Sequence, residues 1–150
     1  MNGNVIFDSV EFYKLSQRNT HKAGIRFEWA KKSSSTIKNS AVSGGDAWGF
    51  SSKFSENIAL ESTAFVGARQ IGISIQDSNK ISLNGVISAD TRIRPELDSI
   101  DMDMEACFSV CSLPFTTNLC ENIKIVNSIA AGCPYAGFIA PGHQCGTAST

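Results

Sequence analysis

The sequence is poor in several features that mark the common classes of protein. Charged residues make up only 18% of its 150 residues and the net charge is −1, which argues against a strongly basic nucleic-acid binder. No apolar run approaches the roughly 20 residues of a membrane-spanning helix. Leucine is scarce, with 6 residues against 22 Ile and Val together. We therefore expect a single all-β domain that binds no nucleic acid and does not itself span a membrane.

The N-terminus also lacks the basic start and apolar stretch of a secretory signal. However, the strand-like run Val5-Ile6-Phe7 begins almost at once, and the chain ends in Cys145-Gly146-Thr147 with no closing element. We therefore expect residues 1–150 to be a segment of a longer protein. The absence of a secretory signal from these residues is then weak evidence about the compartment in which the protein works.

Cysteine is absent from the first 106 residues, and the rest of the chain holds Cys107, Cys111, Cys120, Cys133 and Cys145. An odd number leaves at least one thiol unpaired or paired outside the chain. The spacing matches no zinc-ribbon arrangement, so we expect no metal site and no cofactor. One or two disulfides are favoured over buried reduced thiols, and with them an oxidising compartment.

What the sequence does contain is a repeat. Five short strings consist of an apolar residue, a polar residue, a small residue and further apolar positions. Their polar members are Asp8, Asn39, Glu61, Asn84 and Asn127, at intervals of 31, 22, 23 and 43 residues. Four of the strings are followed by a glycine that opens a second apolar strand, namely Gly24, Gly49, Gly72 and Gly137.

A period near 22 residues with short alternating strands is typical of one coil of a parallel β-helix. We expect about 5–6 coils, in which the five polar residues stack into a ladder at one corner and each amide bonds to the coils above and below. The rival fold is an antiparallel sandwich, whose strands also recur at short intervals. The scarcity of hairpin signals between apolar runs counts against it.

The repeat fails around residues 90–120, where we expect an irregular insertion or loop rich in cysteine and acidic residues, either projecting from the coil or belonging to one degenerate coil. Residues 101–110 could form one exposed turn. Asp101, Asp103 and Glu105 alternate with two methionines, so on a strand they would share one face. The expected role of these acids is a solvated surface. The alternatives are a cation site and the catalytic pair of a carbohydrate-active enzyme.

Two tryptophans, Trp29 and Trp48, recur in consecutive coils. Exposed, they would be platforms for sugar rings, whereas buried they would fill the interior. We expect the second arrangement, because large aromatic side chains are usually buried.

The string Val10-Glu11-Phe12-Tyr13-Lys14-Leu15-Ser16-Gln17 resembles a coil opening of the fibrocystin (polyductin) family of large ciliary and surface proteins. The C-terminal string Glu121-Asn122-Ile123-Lys124-Ile125-Val126-Asn127-Ser128-Ile129, with the later Gly137-Phe138 and Gly142-His143-Gln144-Cys145, is similar to closing coils of that family. Ser16 stands where the family often has glycine, and only His21 and His143 represent its frequent histidines.

This resemblance implies a right-handed parallel β-helix of the pectin-lyase-like kind. It also implies a non-catalytic extracellular or cell-surface segment that acts as a rigid scaffold and interaction surface. Its partners would be flanking coils, other copies of the chain, or glycans. One alternative is an enzyme cleaving a hyaluronan-type glycan with residues 101–105, and a second is a structural filament or coat component. Uncapped coils also predict that residues 1–150 alone aggregate or stay partly unfolded.

Overall fold

The structure is a computed structural model that describes residues 4–17, 22–31, 33–93, 105–111 and 120–140. These residues form short strands and no helix. The strands are β1 (Ile6–Asp8), β2 (Glu11–Tyr13), β3 (Ile25–Glu28), β4 (Ser35–Lys38), β5 (Ala41–Ser43), β6 (Phe50–Lys53), β7 (Glu56–Glu61), β8 (Ala64–Val66), β9 (Ile71–Gln76), β10 (Asn79–Asn84), β11 (Ile87–Ala89), β12 (Ala106–Val110), β13 (Glu121–Val126), β14 (Ile129–Ala131) and β15 (Ala136–Ile139).

Each strand pairs in parallel with the strands three places before and after it in the chain. The result is three five-stranded sheets: sheet 1 (β1-β4-β7-β10-β13), sheet 2 (β2-β5-β8-β11-β14) and sheet 3 (β3-β6-β9-β12-β15). Three consecutive strands, one per sheet, make one coil, and there are five coils. The predicted parallel β-helix is confirmed, and the antiparallel sandwich is excluded because all the paired strands run in the same direction.

The spacing of equivalent residues follows the repeat seen in the sequence. Ser55 and Ser78 occupy neighbouring coils 23 residues apart. The separation is 30 residues between Val10 and Ser40, because the first coil has longer connections around β3. It is 42 residues between Val86 and Ser128, where the fourth coil has long connections around β12.

Each corner of the coil contains a residue in the left-handed region. Corner 1 lies between sheets 1 and 2, corner 2 between sheets 2 and 3, and corner 3 between sheet 3 and the next coil. A left-handed residue between two extended strands redirects the chain within one or two positions. The left-handed residues at the corners are Ser9, Asn39, Ser62, Gly85 and Asn127 at corner 1; Lys14, Gly44, Gly67, Asp90 and Gly132 at corner 2; and Trp29, Phe54, Asp77 and Cys111 at corner 3. Four further residues have positive φ, namely Gln70 and, near the start of the sheet 1 strands, Asn57, Lys80 and Asn122.

The core consists of inward-facing side chains stacked from coil to coil. Alternate residues of a strand point inward, and in the middle coils those inward residues are almost entirely buried. Burying one such apolar side chain contributes about 1.5–3 kcal/mol. The main inward columns are Phe7, Ile37, Leu60, Leu83 and Ile125 in sheet 1; Phe12, Val42, Phe65, Ser88 and Ala130 in sheet 2; and Ile25, Phe50, Ile73, Phe108 and Phe138 in sheet 3.

The predicted glycines form one column at the start of the sheet 3 strands. Gly24, Gly49, Gly72 and Gly137 are equivalent, and Cys107 takes the same place in the fourth coil. A Cβ atom on Gly49 would lie 2.6 Å from the carbonyl oxygen of Gly72. Close approach of the backbones therefore explains why glycine recurs there.

Of the two alternatives for residues 90–120, the described residues fit a coil with long connections. Residues 106–110 form β12, which pairs with β9 and β15 in the middle of sheet 3. Four of its five residues are buried, so this part of the predicted exposed turn is a core strand instead. Its apolar residues Phe108 and Val110 continue the inward columns of sheet 3. Because these side chains pack against the neighbouring coils, the segment forms a strand. Residues 94–104 and 112–119 lie outside the described part of the chain.

Candidate functional site

Strand pairing corrects the register of the predicted corner ladder. Asp8, Glu61 and Asn84 each end a strand of sheet 1, and they align with Lys38 and Val126 in the other coils. Asn39 and Asn127 stand one residue later, at the left-handed position of corner 1. The five polar residues therefore occupy two neighbouring positions, because asparagine is tolerated in the left-handed conformation whereas the preceding residue is still extended.

The ladder forms two separate side-chain contacts. Asn39 Nδ2 donates to Asp8 Oδ1 at 3.0 Å, and Asn127 Nδ2 donates to Asn84 Oδ1 at 3.1 Å. Lys38 Nζ also lies 3.1 Å from Asp8 Oδ2. These contacts, with the Asn39 hydrogen bond the largest, lower the pKa of Asp8. The carboxylate of Glu61 makes no hydrogen bond or ion pair within the described residues, so the ladder is interrupted at the middle coil.

A second ladder, of hydroxyl groups, was not predicted from the sequence. Each hydroxyl belongs to the second residue after a strand and donates to the carbonyl oxygen two residues earlier. Most also accept a backbone N–H from the preceding coil. The contacts satisfy backbone groups that a sharp corner would otherwise leave unpaired. The residues are Ser40, Thr63 and Ser128 at corner 1, and Ser55 and Ser78 at corner 3.

A shallow groove of about 560 Å³ runs beside corner 1 across four coils. On one side it is lined by the left-handed residues, including Ser9, Asn39 and Ser62. On the other side lie the first residues of the sheet 2 strands, among them Ala41 and Ala64. Glu11 is the one carboxylate in the described lining. A glycosidase uses a pair of carboxyl groups, of which the described lining of this groove supplies one.

The acidic residues proposed for catalysis are only partly described. Asp101 and Asp103 lie outside the described residues. Glu105 precedes β12 directly and is 7% exposed, so the expected solvated position is wrong for this residue. No group of three or more potential metal-ligating side chains occurs among the residues that the structure places. Nor does the described chain hold a helix long and apolar enough to cross a membrane.

Two disulfides join the predicted cysteine candidates. Cys107 pairs with Cys133, with Cα atoms 5.6 Å apart, and this bond ties the fourth coil to the fifth. Cys111 pairs with Cys120 at 6.0 Å and closes the connection from β12 to β13. Cys145 lies outside the described residues. The two bonds indicate an oxidising, extracellular type of environment.

The two tryptophans have opposite environments. Trp48 is buried, as expected, and donates from Nε1 to Gln70 Oε1 at 2.8 Å. Trp29 is 63% exposed, so the expected burial is wrong for it. It stacks on Phe54 of the next coil, with ring centroids 4.3 Å apart and planes at 21°. The difference arises because Trp29 occupies the left-handed position of corner 3, outside the core.

The first coil leaves the interior of the solenoid open at one end. An opening of about 400 Å³, named here the mouth, is lined by inward-facing residues of all three sheets. They include Val5, Phe7, Phe12, Ile25 and Phe27. In the fifth coil, Phe138 of the inward column of sheet 3 is 49% exposed as well. Both end coils therefore carry apolar surface that the inner coils bury.

Comparison with known proteins adds no further constraint. No protein-family model matches the chain, and no match is found among curated proteins or solved structures.

Proposed function

We propose that this chain is a non-catalytic, extracellular β-helix segment of a fibrocystin-like cell-surface protein, and that it acts as a rigid scaffold and interaction surface. As a scaffold, the end coils of this chain stack on further coils of the same kind. The partners are flanking coils of the same polypeptide or other copies of the chain. No cofactor or metal is needed.

The observation that carries this proposal is the open mouth of the first coil. Among the described residues, β1, β2 and β3 each pair with a strand on one side, so their other edges offer backbone donors and acceptors to a further strand. The same coil leaves Phe7, Phe12 and Phe27 only partly covered. A further coil in the same register would pair these edges and close the interior in one step.

Two other features support the cell-surface part of the proposal. The disulfides Cys107–Cys133 and Cys111–Cys120 favour an oxidising compartment. The resemblance of residues 10–17 and 121–145 to fibrocystin-family coils points to a large surface protein. The rival enzymatic function would depend on Asp101 and Asp103, together with the buried Glu105.

Sedimentation velocity over a range of concentrations tests whether the mouth accepts another coil. We expect the wild-type chain to self-associate, because unpaired edges and apolar interior seek a partner. Phe7→Lys places an ammonium group in the mouth, so its association should be weaker by at least about tenfold. The matched control is Ile6→Lys, which adds the same charge to the outer face of β1, where Ile6 is 69% exposed.

Circular dichroism melting checks that both variants keep the β-helix, and Ile25→Lys repeats the test on sheet 3. The proposal requires that Ile6→Lys associates like the wild type. A wild-type chain that is monomeric at every concentration and melts sharply would contradict it. So would equal association of the Phe7→Lys, Ile25→Lys and wild-type chains.

A further inference from the structure

Corner 3 of the first two coils presents an exposed aromatic pair between two lysines. Trp29 and Phe54 stack on each other, and the tryptophan is 63% exposed. Lys31 Nζ lies 5.6 Å from the centroid of the Trp29 ring, and Lys53 Nζ lies 5.3 Å from that of Phe54. We call these four residues the aromatic corner.

Both aromatic residues are held in an unfavourable backbone conformation. Trp29 has a φ of 59° and Phe54 a φ of 50°. A left-handed conformation costs a residue with a side chain roughly 1–2 kcal/mol, and bulky residues adopt it rarely. Neither corner 1 nor corner 2 has an aromatic residue in this position within the described chain. The coil uses this conformation at all three corners, so what distinguishes corner 3 of the first two coils is the pair of aromatic rings that it presents there.

The four residues of the aromatic corner carry two positive charges, and Asp77 takes the corner 3 position in the third coil. Glu28, which adjoins Trp29, is engaged by Arg26, with 2.6 Å between Nη2 and Oε2. Neither Lys31 nor Lys53 forms an ion pair within the described part of the chain. Two ammonium groups are therefore available beside a flat apolar surface.

We propose that the aromatic corner binds an acidic polysaccharide, whose sugar ring stacks on Trp29 and whose carboxylate or sulfate groups pair with Lys31 and Lys53. The C–H face of a pyranose ring is apolar and fits a flat indole. The stack on Phe54 keeps the indole in one orientation, which lowers the entropic cost of binding.

The lysines allow the ligand to reach the indole. An exposed cation–π contact contributes only about 0.5–1 kcal/mol. An anionic group can therefore draw Lys31 away from the ring while the sugar takes its place. Trp29 itself does not line the mouth, although its neighbours Glu28 and Ala30 do, and its ligand binding is measured separately from the association of coils. The two experiments can fail separately.

Isothermal titration calorimetry on the full chain tests the site with three probes of equal length. Oligogalacturonate carries carboxylates, a heparin oligosaccharide carries sulfates, and a maltooligosaccharide is neutral. We expect at least one acidic probe to bind at least about tenfold more tightly than the neutral probe. The preferred acidic probe identifies the anionic group.

Variants of the aromatic corner separate stacking from charge. Trp29→Ala should weaken binding of the acidic probe at least about tenfold, whereas Trp29→Phe should retain most of it. The double variant Lys31→Ser/Lys53→Ser should weaken binding and reduce its dependence on salt. The matched control is Tyr13→Ala, which removes a 59% exposed ring with its own lysine contact at corner 2.

Thermal melting of each variant verifies that the solenoid is intact. The proposal is overturned if neither acidic probe binds, or if the neutral probe binds as tightly. It is also overturned if Tyr13→Ala weakens binding as much as Trp29→Ala, or if removing both lysines has no effect.

Discussion

Individual residues at the corners determine how tightly the chain can coil. At corner 1 the left-handed position is occupied in three coils by asparagine or glycine, which adopt this conformation readily, and in two coils by serine. At corner 3 the same geometry holds Trp29 and Phe54, which have no such preference. The backbone requirement is therefore common to all corners, while the side chain varies with what each corner presents to solvent.

Gly85 offers a clean measure of this backbone requirement. Its φ is 65°, and a Cβ atom there would meet nothing nearer than 3.7 Å. Gly85→Ala should therefore destabilise the chain by about 1 kcal/mol through the backbone alone. Gly85→Asn should cost less, since asparagine is found in this conformation at two other coils. Chemical denaturation of both variants measures the difference, and an alanine variant as stable as the wild type would contradict the prediction.

Asp8 gives corner 1 a pH dependence. The pKa of Asp8 is lowered by the hydrogen bond from Asn39 and by Lys38. A carboxyl group whose pKa is lower in the folded state stabilises the fold above its unfolded pKa. That contribution is lost as the pH falls through the folded pKa.

Carbon-detected NMR titration of Asp8 tests this dependence. Asn39→Ala removes the largest cause of the shift, so the pKa of Asp8 should rise toward its ordinary value. Asn127→Ala breaks the equivalent amide contact in the last two coils and serves as the control. The assignment is wrong if Asn39→Ala leaves the pKa of Asp8 unchanged, or if both variants shift it equally.

At the scale of elements, the strands are too short to be stable alone. Most contain three or four residues, so each depends on its neighbours in the sheet. The hydroxyl ladder and the glycine column keep consecutive coils close. In the fourth coil, where Cys107 replaces the glycine, a disulfide makes the connection to the fifth coil.

The two disulfides should contribute unequally to stability. The loop closed by Cys107–Cys133 spans 26 residues and that closed by Cys111–Cys120 spans 9. Loop entropy then gives roughly 3.5 kcal/mol for the first and roughly 2.6 kcal/mol for the second. Replacing each pair by alanine and measuring urea denaturation tests the order. If removing Cys111–Cys120 costs more stability than removing Cys107–Cys133, loop entropy does not determine which disulfide contributes more.

At the scale of the whole molecule, the coils form a one-dimensional stack. The middle coil, β7 to β9, has a neighbour on both sides, and all residues of β9 are buried. The first and fifth coils have one neighbour each. Much of the stability of such a stack comes from the interfaces between adjacent repeats. Each end coil forms one such interface, whereas each inner coil forms two.

Hydrogen exchange should reveal this gradient. Backbone amides of β9 are expected to exchange at least about tenfold more slowly than those of β3 and β15, because the end strands open locally. Mass spectrometry of peptic fragments measures the rates. Equal protection of the third and fifth coils would mean that the solenoid unfolds as one unit.

Some features of the coils could be predicted from the sequence and others could not. The glycines at 24, 49, 72 and 137 aligned the coils correctly, because the backbones of neighbouring coils approach closely there and leave little room for a side chain. The polar ladder was placed one residue out of register at two coils, since Lys38 and Val126 interrupt the polar pattern at the strand ends. The hydroxyl ladder was missed, although serines or threonines follow several strands by two residues.

Strand β12 and the aromatic corner needed the tertiary structure. Acidic residues and cysteines surround Ala106–Val110, and nothing local distinguishes a buried strand there from an exposed turn. Its burial is decided by β9 and β15 on either side. Likewise, the sequence separates Trp29 from Phe54 by a whole coil, and only the stacking of coils brings the two rings together.

Residue type and spacing alone determined the parallel coil, its period and the direction of its side chains, because alternation and turn chemistry are local properties. Which side chains meet across coils was decided only by the tertiary structure. The pairing of cysteines, the exposure of Trp29 and the open mouth depend on contacts between residues far apart in the chain, and their positions follow from the register of whole coils.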